Sequence, residues 1–244
     1  MIAINYARYD VIKTFRNRRF FIFAVGIPLI LYIIFAGANR NVKIDGIPFP
    51  VYYLAGMASF GTMNASTSGG AVISLERAVG WTRQLRITPL PVWAYMASKV
   101  IRGYVMSGIT IVVLYAAAVL SFNVHFTAGG WLLMTGLILV GLLPFMALGI
   151  LLGHLVTPDT MGPALGGLTA LFAIFGGAFG PLATTGWFHD FAEALPSYWL
   201  VQAGRAGLTH VSWPLEGWEV LAVWTLALGR LAMISYRRDT SKAS

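Results

Sequence analysis

Histidine and serine are the side chains of this sequence that could take part in metal-dependent or hydrolytic chemistry. The four histidines, His125, His154, His189 and His210, have no His or carboxylate partner at the spacing of a zinc-binding helix. We therefore expect no metal site. The chain also contains no cysteine, which excludes disulfides, thiolate metal sites and cysteine nucleophiles.

The run Ser66-Thr67-Ser68-Gly69-Gly70 is the nearest match to a nucleophile motif. An intramembrane serine protease needs a Gly-x-Ser-Gly turn and a histidine on a facing helix, for which His154 is the candidate. Position 66 is Ser where that glycine would stand. Small polar residues in membrane helices more often serve close packing, which is the interpretation we favour. An enzyme with an essential Ser66 or Ser68 is the alternative.

ATP hydrolysis and ion coupling, the two usual energy sources of membrane transporters, each require characteristic residues. No Gly-x-x-x-x-Gly-Lys-Ser/Thr segment occurs, so this chain does not hydrolyse ATP through a P-loop, and we expect no cofactor in it. Its uncharged apolar runs lack the carboxylate that ion-driven carriers usually bury. An ion-coupled secondary transporter is the second alternative, with backbone carbonyls of a glycine-rich, unwound segment as its site.

These residues must be positioned by membrane helices. Of the 244 residues 57% are apolar and 11% are charged, whereas a soluble domain has about 25% charged residues. Five uncharged apolar runs match the bilayer thickness, and a sixth contains Glu219 and Arg230. The sequence predicts a single all-α integral membrane domain over residues 1–244. Its six transmembrane helices are expected at residues 20–38, 51–73, 103–122, 129–153, 161–185 and 218–236.

The basic residues predict the orientation of these helices. With six spans, 14 of the 17 Lys and Arg residues fall on one side, and Arg40, Lys43 and Arg205 fall on the other. By the positive-inside rule the first side is cytoplasmic, so we expect both termini in the cytoplasm and the protein in the cell membrane. The net charge of +8 then reflects topology, and we predict no nucleic-acid partner.

Residues 1–18 have the pattern of an amphipathic helix lying on the lipid bilayer. Apolar residues recur at helical spacing with basic residues between them. They include Ile4, Arg8, Val11 and Phe15. A frayed basic tail is the alternative.

The connection between the second and third spans predicts a short cytoplasmic helix. Leu75, Val79, Thr82 and Leu85 recur every three to four residues, and Thr88-Pro89 ends the pattern because the residue before proline disfavours the helical conformation. A helix tied to two membrane helices can transmit force to a partner. A solvated loop whose arginines only anchor topology is the alternative.

At this segment the sequence resembles the membrane subunit of ABC transporters of the type-2 exporter class, which includes daunorubicin-type drug exporter permeases and polysaccharide exporter permeases. The signature of that family is an acidic-basic pair, a glycine, Leu-x-x-x-Pro and a lysine entering the next span. It is matched here by Glu76, Arg77, Gly80, Leu85, Thr88, Pro89 and Lys99. A second match follows the fifth span, with Trp187, Phe188, Phe191, Ala194, Leu195, Pro196, Tyr198, Trp199 and Arg205.

The resemblance implies a role for each of these segments. Residues 76–89 would couple the subunit to a cytoplasmic ABC ATPase that carries the ATP and Mg²⁺, and the N-terminal helix would be its interfacial elbow. Two permease copies, identical or related, would pair. The segment 186–217 would form a helical hairpin in the outer leaflet, with Trp187, Pro196 and Tyr198 among its residues.

The substrate is expected to be a drug, an antibiotic or another amphipathic compound, with polysaccharide or lipid export by the same class as the alternative. Phe60, Met63 and Phe179 offer an apolar surface for such a compound or for helix packing. The pairs Gly162/Gly166 and Gly176/Gly180 have the spacing of close helix contacts. They line either the subunit interface or a contact within one subunit, and we favour the latter.

Overall fold

The computed structural model describes residues 2–16, 18–88, 90–182, 184–209 and 213–241. Nearly all of this chain is helical, which confirms the all-α class. The helices are α1 (Ile2–Arg16), α2 (Arg18–Ala38), α3 (Phe49–Ala78), α4 (Trp81–Arg86), α5 (Val92–Phe122), α6 (Ala128–Gly141), α7 (Leu143–Leu155), α8 (Pro158–Phe175), α9 (Trp187–Glu193), α10 (Pro196–Thr209) and α11 (Leu215–Ser241).

Three helical stretches of the described chain are long and apolar enough to cross a membrane. They are Val92–Phe122, Ala128–Leu155 and Leu215–Arg238. A shorter apolar stretch, Ala24–Ala38, lies in α2. The structure therefore has the character of a membrane protein, and six spans remain a prediction.

A small β-hairpin lies between α2 and α3. Strands β1 (Lys43–Ile44) and β2 (Ile47–Pro48) are antiparallel, with Ile44 opposite Ile47. Asp45 and Gly46 between them have φ of 50° and 79°. Positive φ at both central residues is what a type I′ hairpin turn requires, and Asp-Gly is among the sequences that favour it.

Helix α3 is the central helix of the fold. It packs against α2, α5, α7, α8 and α10, and most of its residues are buried. Glycines permit this close packing: a Cβ at Gly56 would overlap the Ala178 carbonyl, and one at Gly70 would overlap the backbone of Gly149 and Ile150. The segment with the serine run is thus where α3 packs backbone to backbone against α7.

Two predicted spans differ from the observed helices. The span 129–153 consists of α6 and α7, which are separate at Leu142, because Pro144 lacks the N–H needed to continue the helical hydrogen bonds. The span 161–185 is wrong in its second half, since α8 ends at Phe175 and Gly177 follows with φ of 73°. The apolar run is longer than the helix.

The glycine pairs are placed differently from the expectation. Gly176 and Gly180 follow the end of α8, so they do not form a pair on one helix; Gly176 alone makes a close contact within the chain, against the backbone of Ser197 in α10. Gly162 and Gly166 lie on α8 facing open space within the described chain, so packing inside one subunit is also wrong for them.

The two ends of the fold are formed by different elements. The coupling end contains α1, α4 and the start of α5, next to the last turn of α3. The hairpin end contains the β-hairpin, α9, α10 and the first turn of α3.

Candidate functional site

A buried group of charged side chains joins α1, α3 and α5 at the coupling end. Lys99 Nζ lies 2.7 Å from Glu76 Oε1 and 3.2 Å from both carboxylate oxygens of Asp10. The exposed fractions of these side chains are 0%, 4% and 3%. Arg102 lies 3.8 Å from Asp10 Oδ1, and the Tyr95 hydroxyl donates to Glu76 Oε2 at 2.7 Å. We call these five residues the ionic cluster.

Helix geometry explains how the cluster forms. Tyr95, Lys99 and Arg102 are four and three residues apart, so they share one face of α5. Gly69 brings α3 against the backbone of α5 at Lys99 and Gly103. The cluster contains two carboxylates and two cations, and this balance is needed because an unpaired buried charge is strongly destabilising.

Arg77, next to Glu76 in sequence, joins α3 to a different helix. Its guanidinium donates to the carbonyl of His154 at 2.6 Å and to that of Gly153 at 3.2 Å. These carbonyls belong to the last turn of α7, where a cation is favourable. The acidic-basic pair thus ties the end of α3 to α1 and α5 on one side and to α7 on the other.

Helix α1 turns its polar face inward. Asp10 and Thr14 are buried, whereas Ile4, Ile12 and Phe15 are exposed. Of the other predicted elbow residues, Arg8 is exposed and Val11 is half-buried. An inward carboxylate and an outward apolar stripe suit a helix that lies on lipid and is anchored to the protein by charge.

Tyr6 connects α1 to α4. Its hydroxyl accepts a hydrogen bond from Trp81 Nε1 at 3.4 Å, and its ring lies 6.2 Å from that of Tyr95. Burial, together with the negative charges of Glu76 and Asp10, raises the pKa of Tyr6 above its ordinary value, so the hydroxyl stays protonated. Trp81, the first residue of α4, thus contacts α1.

The short helix predicted from Leu75 begins later than expected. Helix α3 continues to Ala78, and α4 starts at Trp81. Gly80 separates them with φ of 73°, a conformation in which a side chain is strained. The Thr88 hydroxyl donates to the Leu85 carbonyl at 2.6 Å just after α4. Pro89 lies outside the described residues.

Large apolar side chains are exposed around α4. Val79 is 76% exposed and Ile87 is 88% exposed, and Leu75 and Trp93 are exposed beside them. We call these four residues the coupling surface. Exposed apolar groups of this density are typical of a surface that contacts lipid or another protein.

The serine run has the geometry of packing residues. Ser66 and Ser68 are buried, and their hydroxyls donate to the carbonyls of Met63 and Ala65 in the same helix. The ring of His154 bonds through Nδ1 to the Ile150 carbonyl at 2.8 Å, one turn earlier in α7. Each of these side chains thus bonds to the backbone of its own helix, which favours the packing interpretation over a serine–histidine pair.

The residues proposed for a translocation path lie in different surroundings. Met63 is fully buried inside the chain. Phe60 and Phe179 contact each other with ring centroids 5.4 Å apart, and Phe179 is exposed. The structure therefore brings Phe60 and Phe179 together and separates Met63 from any surface.

The predicted outer hairpin consists of α9 and α10. Trp187 at its start is exposed, whereas Pro196, the first residue of α10, is buried. Tyr198 is half-buried, with its ring 5.9 Å from that of His189. The turn between the helices is held by two indoles, since Trp199 and Trp224 donate to the carbonyls of Glu193 and Ala194.

Sequence reasoning missed part of the ionic cluster. Asp10, Tyr95 and Arg102 were not predicted as site residues, and Lys99 was identified only through the family signature. One signal was available for Asp10, because it is the sole acidic residue among the first 44. Its partner stands 89 positions away, beyond the range of any local pattern.

Comparison with known proteins agrees with this architecture. The family model described as ABC-2 type transporter matches residues 5–209. YvfS of Bacillus subtilis (strain 168), named a putative transport permease, is 30% identical over 191 residues, which cover 76% of this chain and 77% of that protein. Members of this family are transport subunits, and the family implies a membrane setting and a partner ATPase. The chain belongs to the ABC-2 type transporter family.

Proposed function

We propose that the protein is the membrane-spanning subunit of an ATP-driven exporter, working as a dimer with a separate cytoplasmic ATPase that binds the coupling end. The ATPase binds and hydrolyses ATP with Mg²⁺, and this chain provides the path for a drug-like amphipathic compound. It carries out no chemistry of its own.

The ionic cluster is the observation that carries this proposal. It joins α1 and α5 to the end of α3, and Arg77 joins α7 to the same turn. A force on α4 therefore reaches four longer helices through buried or half-buried, charge-assisted contacts, which are stronger than neutral hydrogen bonds. Stiff contacts of this kind are needed if ATPase closure is to move membrane helices.

The coupling surface is the proposed site of ATPase contact. Val79 and Ile87 flank α4 and point away from the chain, as their exposure shows. Their side of the fold also carries most of the basic residues, which supports a cytoplasmic orientation for this end. An exposed apolar surface in water is best explained by a partner that covers it.

The face of α8 supports pairing with a second permease copy. Gly162, Gly166 and Gly167 have open space beside them in the described chain. Small residues let two helices approach closely in a bilayer. We propose that this face contacts the second copy, and that the Phe60–Phe179 pair, which lies beyond the other end of α8, lines the path.

Co-purification from the native membrane tests the function. The tagged chain should bring down a P-loop ATPase in roughly equal amount. The variants Val79→Asp and Ile87→Asp should lose that partner, because a charge replaces an apolar contact. Leu215→Asp is the matched control, since Leu215 is similarly exposed but lies at the hairpin end.

The outcomes separate this proposal from an ion-driven carrier. If no ATPase co-purifies reproducibly with the folded wild-type chain, and an ion gradient alone drives transport in vesicles, the hypothesis of an ion-driven carrier is correct. The non-helical segment after α8 would be its expected site, although the Gly177 carbonyl there already accepts a hydrogen bond from Arg205 at 2.8 Å.

A further inference from the structure

A cavity of about 740 Å³ lies at the hairpin end. It opens to the surface and is bordered by the β-hairpin, the start of α3, the segment after α8, helices α9 and α10, and the start of α11. Four aromatic side chains, Tyr52, Tyr198, Trp199 and Trp213, line it. Its volume is that of sites that bind drug-sized molecules.

The charged groups of this lining are mostly acidic. The carboxylates of Asp45, Glu193 and Glu216 line the cavity together with one fixed cation, Arg205. Glu193 lies 3.1 Å from His189 Nε2. Asp45 and Glu216 are exposed, and no ion pair is formed by either within the described residues. Three carboxylates outnumber Arg205, so the lining carries a net negative charge in either protonation state of His189.

Arg205 shows how a cation is held in this cavity. Its guanidinium lies 4.3 Å from the centroid of the Tyr52 ring and donates to the Gly177 carbonyl at 2.8 Å. The ring faces of Tyr and Trp carry partial negative charge and attract cations. Because Arg205 takes the ring of Tyr52 and Trp199 is buried, the half-buried rings of Tyr198 and Trp213 are the ones that remain for a ligand.

These remaining rings are held by their neighbours. Trp199 donates to the Glu193 carbonyl at 2.7 Å, and its ring lies 6.0 Å from that of Trp213. Gly217 lies directly against both indoles, where a larger residue would displace them. Burial raises the pKa of Tyr198, so this residue offers a neutral ring. A ligand therefore meets aromatic surfaces that are already in place.

We infer that this cavity binds lipophilic organic cations, with the aromatic rings contacting the apolar body and Asp45 and Glu216 attracting the charge. A hydrophobic anion of the same shape is disfavoured by the same carboxylates. The cavity would bind the exported compound only if the proposed function is correct, so the inference rests on that function. It narrows the class of exported compounds to cations.

Tetraphenylphosphonium and tetraphenylborate are suitable probes because they share a shape and differ in the sign of their charge. Binding is measured by quenching of tryptophan fluorescence in the purified protein, in nanodiscs of zwitterionic lipid, with the signal of empty nanodiscs containing a free tryptophan analogue subtracted. We expect saturable binding of the phosphonium and none of the borate.

The variant D45N/E216Q should bind the phosphonium about fivefold more weakly, as expected for the loss of two exposed charge interactions. Asparagine tolerates the positive φ of position 45, so the hairpin turn is kept. E219Q is the matched control, since Glu219 lies one turn further along α11 and outside the cavity lining. Its affinity should equal that of the wild type.

Equal saturable binding of the two ions would overturn the inference, and so would an unchanged affinity in D45N/E216Q or the absence of saturable phosphonium binding. The assay contains no ATPase and no transport step. A negative result therefore leaves the proposed function standing, and a missing ATPase in the co-purification leaves the binding result standing.

Discussion

Replacing Lys99 with Met tests the ionic cluster most directly. The change keeps a long side chain but leaves the carboxylates of Asp10 and Glu76 facing each other without the cation between them. Arg102 still lies 3.8 Å from Asp10, so Glu76 becomes the uncompensated charge. Removing one partner of a buried ion pair costs about 3–5 kcal/mol.

The assay is thermal unfolding of the purified protein in detergent. For a chain of this size, such a loss corresponds to a fall in apparent Tm of about 6–20 °C. The variant K99M/E76Q should recover most of this loss, because Asp10 and Arg102 then balance each other. K43M is the control, since Lys43 is exposed on β1 and its replacement should change the stability by less than about 0.5 kcal/mol. An equal Tm for K99M and K43M would refute the reasoning.

Other substitutions test neighbouring features. Gly80→Ala should strain the left-handed residue before α4 by about 1 kcal/mol and lower the transport per ATP hydrolysed in reconstituted vesicles, while membrane insertion is unchanged. Gly70→Val should abolish folding, since it overlaps α7, whereas Gly166→Val should fold but weaken the dimer, as size-exclusion chromatography with light scattering will show. Ser66→Ala and Ser68→Ala should leave transport unchanged, because their hydroxyls bond to their own helix; loss of transport in either would favour the enzyme hypothesis.

Some features of the fold were predictable because their signals are local. Helical periodicity and apolar content predicted the all-α class, and the small residues at 66–70 indicated close packing, which the contact of Gly70 with α7 shows. The β-hairpin was not predicted, although Asp45-Gly46 is a local signal for it. Its two strands have only two residues each and stand between two long apolar helices.

Other features depend on contacts that no local pattern contains. The apolar run continues past Phe175, so hydropathy alone does not reveal that Gly177 ends α8 there. The pairing of Asp10 with Lys99 depends on how α1 folds back onto α5. Likewise Arg77 is part of the family signature in the sequence, and only the structure shows that it binds the last carbonyls of α7.

The length of α3 turns small movements at one end into large ones at the other. Its 30 residues span about 45 Å at 1.5 Å per residue, so a tilt of about 5° around Glu76, about 36 Å away, displaces the first turn by about 3 Å. That turn carries Tyr52, on whose ring Arg205 rests. A displacement of this size exceeds what a cation–aromatic contact tolerates. In the proposed function the helix would act as a long lever arm, and a stroke at α4 would break and remake the contact between Tyr52 and Arg205 at the opposite end if α10 stays in place.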